Sequence, residues 1–296
     1  MNKQRLAIQL MIGQGVLFAA ETAVIHQIGS RVSLILLALI RASAGLGLAL
    51  LLARHVGLAV MRTRQLPLQL LRGALGALYL WVMIYSFGHL PFADATAISY
   101  TQAGYIVVFS VLILGAPVTR WHWNGAAAGF IGALLIAKPA FASWHCAYLV
   151  ALLGTSLNGL GFVLNRHLQE EDTAETTMFY ANLVPVIANI PALVLTGLPS
   201  ASHMGPWMLA MLLLGPVGMY LGIVAVKHAD TATLGPYTFL RLIIGLLGGT
   251  VIFHELPDLF SMCGAILILA GCALSSSNTR TPHRERDAAG ATCLPG

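Results

Sequence analysis

Three side chains carry formal charge inside stretches that are otherwise hydrocarbon: Glu21, Arg41 and Arg241. The run 6–29 around Glu21 has no other ionisable group except His26, and the runs 33–53 and 231–253 around Arg41 and Arg241 have no other formal charge. A charge at mid-bilayer costs at least ~2.5–3.5 kcal/mol on insertion scales, so such residues face a partner or a water-filled cavity. Arg241 falls near the middle of its run, and its planar fork suits a carboxylate or phosphate held in two-pronged geometry. It reads either as the group that holds a solute or as an internal strut. With the N-terminus inside, Glu21 and Arg41 both lie ~10–12 Å below the outer surface at ~1.5 Å per residue, close enough to meet. Two readings stand open for them. One is a buried ion pair clamping the first two spans; the other sets Glu21 in a cavity, where a carboxylate binds an amine or exchanges a coupling proton.

Neutral groups that could serve the same cavity are also present. Tyr79, Trp81, Tyr85, Tyr100 and Tyr105 gather on the third and fourth apolar runs, with Tyr220 and Tyr237 on the eighth and ninth. Tyr79 and Tyr85 lie well inside their run, and Tyr237 stands one helical turn before Arg241 on the same face. These rings either line a site for a flat or amphipathic solute or anchor the chain at the interface. Asn158, Asn165, Asn182 and Asn189 serve packing between helices as readily as binding. All ten histidines fall at run ends, in loops or in the tail, which disfavours a histidine proton relay or an intramembrane metal site.

The elements that must position these groups are ten apolar runs: 5–28, 33–53, 68–87, 95–114, 121–137, 146–166, 176–195, 207–226, 233–253 and 259–275. Each has about the 17–25 residues needed to cross a ~30 Å hydrocarbon core, and lipid offers free backbone groups no partner, so each should be helical. The mean hydropathy of +0.80, with 57% apolar and 9% charged residues, is more than one soluble core can hide; soluble chains carry roughly 25% charge. Lys3 and Arg5 before an apolar run mimic a signal peptide, but that run is too long and holds Glu21, so it reads as the first span. Of the sixteen Lys and Arg residues, twelve fall in segments inside if the N-terminus is cytoplasmic (Lys3, Arg5, Arg54, Arg62, Arg64, Arg72, Arg120, Arg166, Lys227, Arg280, Arg284, Arg286) and two outside (Arg31, Lys138). That asymmetry predicts two cytoplasmic termini.

A weak repeat recurs at a displacement of about 135–140 residues. Tyr79-Leu80 followed by Ala93-Asp94-Ala95-Thr96-Ala97-Ile98 matches Tyr220-Leu221 followed by Ala229-Asp230-Thr231-Ala232-Thr233-Leu234. Each copy continues to a proline, Pro117 or Pro257, and a glycine-bearing helix from Gly125 or Gly264. At an offset of 139, Gln102 falls opposite Arg241. Five spans per copy is an odd number, so the second copy enters the membrane upside down. The predicted fold is therefore all-α and integral to the membrane, with residues 1–140 and 141–275 as inverted five-helix repeats and 276–296 as a polar cytoplasmic tail. Such repeats are the architecture of secondary transporters, with the site near the midplane between them. The glycine series Gly125-Gly129-Gly132 and Gly215-Gly218-Gly222 read as faces for close helix approach.

Other classes lack their parts. No HExxH, GxSxG or GxxxxGKS occurs, which removes the usual machinery of proteolysis, ester hydrolysis and ATP-driven pumping. Cys146, Cys263, Cys272 and Cys293 form no CxxC pair and no cluster with histidine, so neither a metal site, a disulfide framework nor a cofactor is expected. A net charge of +5 without a basic, aromatic-interleaved stripe gives no nucleic-acid surface.

Leu90-Pro91-Phe92-Ala93-Asp94-Ala95-Thr96-Ala97-Ile98, the run Leu234-Gly235-Pro236-Tyr237 and Phe253-His254-Glu255-Leu256-Pro257 resemble phrases of the drug/metabolite transporter superfamily, in its EamA-domain branch. Arg41 in Leu39-Ile40-Arg41-Ala42 resembles the arginine often seen in that family's second helix. The resemblance covers roughly residues 5–275, with one departure: Gly115-Ala116-Pro117 stands where the family commonly has Gly-Glu. It implies an inner-membrane transporter rather than an enzyme, exporting amino acids or amino-acid-derived metabolites such as opine-type metallophores. The same fold also imports flat metabolites such as riboflavin or S-adenosylmethionine, and a non-transporting scaffold or an integral-membrane enzyme are the rivals from other classes. The expected partners are a small solute, the bilayer and, through Glu21, a proton. The expected solute site is Arg241, Glu21, Tyr79, Tyr85, Gln102, Tyr237 and Asn158, with Arg41 paired to Glu21.

Overall fold

A computed structural model of the chain describes residues 3–28, 34–55, 57, 61–90, 98–116, 118–137, 146–196, 205–244, 247 and 259–277. Arg31, Lys138, Glu255, Pro257, the 276–296 tail beyond residue 277, and most of the first-copy repeat phrase (91–97) lie outside the described residues. Among the described residues all secondary structure is helical: α1 (Lys3–Ile28), α2 (Leu34–Leu52), α3 (Leu66–His89), α4 (Gln102–Leu114), α5 (Arg120–Ala137), α6 (Cys146–Leu168), α7 (Ala174–Thr196), α8 (Gly205–His228), α9 (Thr231–Leu234) and α10 (Leu259–Ser277). Three of these hold a stretch long and apolar enough to cross a membrane, Leu66–Met83, Cys146–Leu168 and Leu209–His228, and Leu36–Leu52, Gln102–Leu114 and Leu259–Ser275 are shorter apolar stretches. Large apolar side chains face outward along the helices, among them Leu51, Leu112, Leu149, Val194, Leu213 and Ile266. Outward-facing hydrocarbon on so many helices suits contact with lipid tails.

Local sequence explains where the helices start and stop. Pro67 sits in the first turn of α3, where its missing N–H costs no hydrogen bond. Gly115 ends α4 at φ 57°, a left-handed conformation that glycine takes without strain. Thr173 caps α7, its Oγ1 accepting the N–H of Thr176 at 3.2 Å. The largest departure from expectation is in 233–253, read from sequence as one continuous helix. Its first turn, α9, gives way to a 3-10 turn over Gly235–Phe239, and α-helical geometry resumes only at 240–244. Pro236 cannot donate the backbone hydrogen bond that an α-helix needs at that position. The break falls immediately before Arg241.

The helices pack in reciprocal pairs. The most extensive contacts are α5 with α10, α1 with α8, α2 with α7 and α3 with α6. Adding five to a helix number exchanges α1–α8 with α3–α6 and maps α2–α7 and α5–α10 onto themselves. At α5–α10 the exchange holds residue by residue. A Cβ on Gly125 would lie 2.6 Å from the Gly271 carbonyl oxygen and one on Gly271 2.6 Å from that of Gly125; Gly132 and Gly264 approach each other in the same way, at 2.5 and 2.6 Å. Gly125 and Gly264, like Gly132 and Gly271, are 139 residues apart. Tyr100 and Phe239, separated by the same 139 residues, stack with ring centroids 5.7 Å apart. Of the glycine faces expected from the sequence, Gly125 and Gly132 meet backbone, whereas Gly129, Gly215, Gly218 and Gly222 make room for the side chains of Phe239, Glu21, Phe18 and Gln14.

Candidate functional site

The broken α9 region delivers Arg241 into the middle of the bundle, where it meets groups from the first half of the chain. Its Nε donates to the Tyr100 hydroxyl at 3.2 Å, and its Cζ lies 4.9 Å from the centroid of the same ring. Tyr100 is in turn held by its stack on Phe239, so ring and guanidinium are fixed together. Among the described residues no carboxylate pairs with Arg241. Asn158 on α6 donates from Nδ2 to Gln102 Oε1 at 2.9 Å, and one turn earlier on α6 a Cβ added to Gly154 would lie 3.9 Å from Tyr79 Cδ2 of α3. Thr101 and Thr155 close the same α4–α6 contact with hydroxyls 3.1 Å apart. Arg241 on Tyr100 and the Asn158–Gln102 amide pair thus lie together at the start of α4, with the Tyr79 ring of α3 against α6 near Gly154.

Glu21 and Arg41 form the ion pair that sequence left as one of two alternatives: Arg41 Nε lies 2.6 Å from Glu21 Oε1. The pair bridges α1 and α2 and presses on α8 at Gly215, where an added Cβ would overlap Glu21 Oε1. Arg41 also lies over the Phe18 ring, 5.6 Å from its centroid. Their exposures differ sharply: the Glu21 side chain is 6% exposed and that of Arg41 35%. The carboxylate is the hidden member.

Of the expected site residues, Arg241, Gln102 and Asn158 gather at the start of α4, Tyr79 lies against α6 near Gly154, and Glu21 is paired with Arg41. Tyr85 is set apart, half-exposed and stacked on His89 at 4.1 Å. Tyr237 is buried in the apolar cluster that also holds Met11, Tyr100, Ala133, Phe239 and Ile268. Tyr100 is the partner that sequence reasoning noted only as an aromatic. The 139-residue offset that set Gln102 opposite Arg241 also sets Tyr100 opposite Phe239, and that was the available signal.

Arg72, counted from sequence among the cytoplasmic cations, lies near the start of α3 within the Leu66–Met83 stretch and donates from Nε to Asn165 Oδ1 at 2.7 Å. Gly161 leaves room for its stem. Asn165→Leu should strand a half-buried guanidinium and cost about 1–3 kcal/mol, read as a lower unfolding temperature in detergent; Asn165→Asp, which keeps an acceptor, should cost less. An unchanged transition for Asn165→Leu would show that water serves Arg72 equally well. Asn182 and Asn189 are structural, each donating to the carbonyl four residues back, Met178 and Pro185, at 2.7 Å.

At the end of the bundle carrying the α6–α7 turn, side chains tie several elements together. Asp172 Oδ2 accepts from Thr63 Oγ1 at 2.5 Å and from Gln69 Nε2 at 2.8 Å. Gln169 donates to the Ile223 carbonyl, and Arg166 donates to those of Val226 and Lys227 at the last turn of α8. The Tyr220 hydroxyl donates to Glu175 Oε1 at 2.7 Å. Burial pushes the Glu175 carboxyl up, but hydrogen bonds from Tyr220, its own backbone and Thr173, with Lys227 nearby, hold it below its ordinary value.

Comparison with known proteins gives a family match across nearly all of the chain. The model of the EamA-like transporter family matches residues 5–138 and again 145–277. The pseudopaline exporter CntI of Pseudomonas aeruginosa is 25% identical over 258 residues, covering 86% of this chain and 90% of that one. A riboflavin transporter of Rhizobium johnstonii is 27% identical, covering 78% and 77%. An S-adenosylmethionine uptake transporter of Rickettsia bellii is 23% identical, covering 73% and 74%. One solved crystal structure superposes with a TM-score of 0.76 at 22% identity, covering 93% of this chain and 98% of its own, and so shares the fold.

Proposed function

The chain belongs to the EamA-like transporter family of the drug/metabolite transporter superfamily and is a membrane transporter rather than an enzyme; from that premise we propose that it exports amino acids or amino-acid-derived metabolites by alternating access between two inverted halves. The observation that carries the solute class is Arg241, a guanidinium held at the centre of the bundle by a phenol and a ring face rather than by a carboxylate. A solute carboxylate supplies two acceptors at once and is the better partner for an arginine fork. Gln102, Asn158 and Tyr79 provide neutral donors and acceptors for the rest of the molecule. Import of a flat ring finds less support, because Tyr85 is stacked on His89 and Tyr100 on Phe239.

The two-half reading draws support from the reciprocal helix pairs, from the four glycines of α5 and α10 that meet at an offset of 139, and from the family model matching twice in succession. Ten spans with both termini cytoplasmic follow from that reading together with the cation asymmetry. Reporter fusions at Gly29, His203 and Gly296 should report outside, outside and inside. An extracytoplasmic signal at Gly296 would break the span count, and a cytoplasmic one at Gly29 the orientation.

Untargeted metabolite profiling of cells and medium tests the function. Cells expressing the chain should move a carboxylate-bearing metabolite into the medium, and cells expressing Arg241→Ala should not. Accumulation inside the cell, or a transported solute with no anionic group, would overturn the proposal.

A further inference from the structure

A cavity of about 430 Å³ opens at the end of the bundle that carries the α6–α7 turn, lined by Arg62, Thr63, Arg64, Glu171 and Asp172. One wall comes from the segment between α2 and α3, the other from the α6–α7 turn. Two cations and two acids around one space would ordinarily neutralise each other by contact. Here they do not: among the described residues none of the four takes part in an ion pair. Asp172 is held in place by neutral donors instead, its Oδ2 accepting from Thr63 Oγ1 at 2.5 Å and Gln69 Nε2 at 2.8 Å.

Donors are also short around this node. Gln65, whose N–H donates to Thr63 Oγ1 at 2.9 Å, and the fully buried Gln69 each keep a buried side-chain oxygen with no donor. Gln169, three residues before Asp172, keeps a third. Among the described residues these are all the buried side-chain polar atoms without a hydrogen-bond partner, and all belong to this end of the bundle. Buried acceptors are ordinarily satisfied, so a group of unfilled ones marks a place for a donor that the chain does not itself supply.

We propose that this cavity is an entry site for a zwitterionic amino acid or amino-acid-derived solute, its ammonium held by Glu171 and Asp172 and its carboxylate by Arg62 and Arg64. An ammonium brings three donors and no acceptor, which suits two carboxylates beside unfilled amide oxygens. A guanidinium pair suits the carboxylate. A solute of one sign only would meet like charge on one wall, so the site selects for both signs together. The inference rests on the reading of the chain as an exporter with its α6–α7 turn in the cytoplasm, where such a carrier takes up its cargo, and adds a site separate from Arg241.

The test uses the purified full chain carrying Arg241→Ala, which removes the central arginine, in nanodiscs of phosphatidylcholine and phosphatidylglycerol. L-alanine, L-glutamine and L-histidine are titrated, each beside its N-acetyl derivative, which lacks the ammonium, and its amide, which lacks the carboxylate. At least one amino acid should bind about tenfold or more tightly than either derivative. Arg62→Gln with Arg64→Gln, and separately Glu171→Gln, should each remove that preference; all three side chains are exposed, so folding should be unaffected. Equal binding of amino acids and derivatives, or a preference that survives the paired arginine change, overturns the site. Binding of glycerophosphoethanolamine in place of the amino acids assigns the cavity to a lipid headgroup and overturns it as well. If no amino acid binds yet Arg241→Ala abolishes export of a metabolite, the entry site fails and the reading of Arg241 stands. If the amino acids bind as expected and Arg241→Ala leaves the metabolite profile unchanged, the reading of Arg241 falls and the entry site stands on its own binding.

Discussion

Arg241→Ala should abolish solute export while leaving the protein inserted and folded, and Arg241→Lys should retain about a tenth of the rate or less. The size follows from what each change removes. Alanine deletes the charge and both prongs of the fork, and a charge-assisted hydrogen bond is worth about 1.5–3 kcal/mol, or roughly ten- to a hundredfold in affinity. Lysine keeps the charge but offers a compact, strongly hydrated point where a planar pair of donors stood. Folding should survive because Tyr100, the side chain that would lose its partner, remains stacked on Phe239 at 5.7 Å. Initial rates of export, normalised to the amount of membrane-inserted protein, decide the matter. Normal rates from well-folded Arg241→Ala would make the residue a strut, and the site would then have to be sought among Tyr79, Gln102 and Asn158.

How far the site could be seen in the sequence differs residue by residue. Glu21, Arg41 and Arg241 were legible because a charge in a hydrocarbon run is expensive and must have a reason. That Glu21 meets Arg41 was open only as one alternative, since depth along a helix can be counted but rotation about it cannot. The partner of Arg72 was hidden for a related reason: it stands near the start of its run, where an arginine can snorkel to the surface, and only the structure puts Asn165 2.7 Å away, pairing a half-buried guanidinium. The break at Gly235-Pro236 was visible as a phrase but not as a geometry. Across the 3-10 turn a rule built on 3.6 residues per turn no longer sets which side chains share a face. Periodicity located the helices well and their local irregularities poorly.

The α5–α10 crossing should be the least forgiving contact in the protein. Gly132→Val should cost on the order of 2–3 kcal/mol and sharply reduce the yield of folded protein, because side chains added to a filled contact must displace their neighbours. Here the neighbour is backbone. A Cβ at Gly132 would stand 2.5 Å from the Gly264 carbonyl oxygen and 2.9 Å from Ile268 Cγ1, and a carbonyl within a helix has no rotamer through which to retreat. Gly47, which has nothing within 4 Å of an added Cβ, is the internal control, and Gly47→Ala should be neutral or slightly stabilising. The reciprocity of the crossing gives a sharper expectation. Gly132 and Gly264 press on each other's carbonyls, so Gly132→Ala and Gly264→Ala both push the same two helices apart. Once one alanine has separated them the second has less to displace, and the double variant should be less destabilised than the sum of the singles. Unfolding temperatures of the four proteins in one detergent measure this directly. Strict additivity, or a Gly132→Val protein as stable as Gly47→Ala, would mean that α5 and α10 do not meet glycine to glycine. The reciprocal contact would then no longer support a twofold relation between the halves.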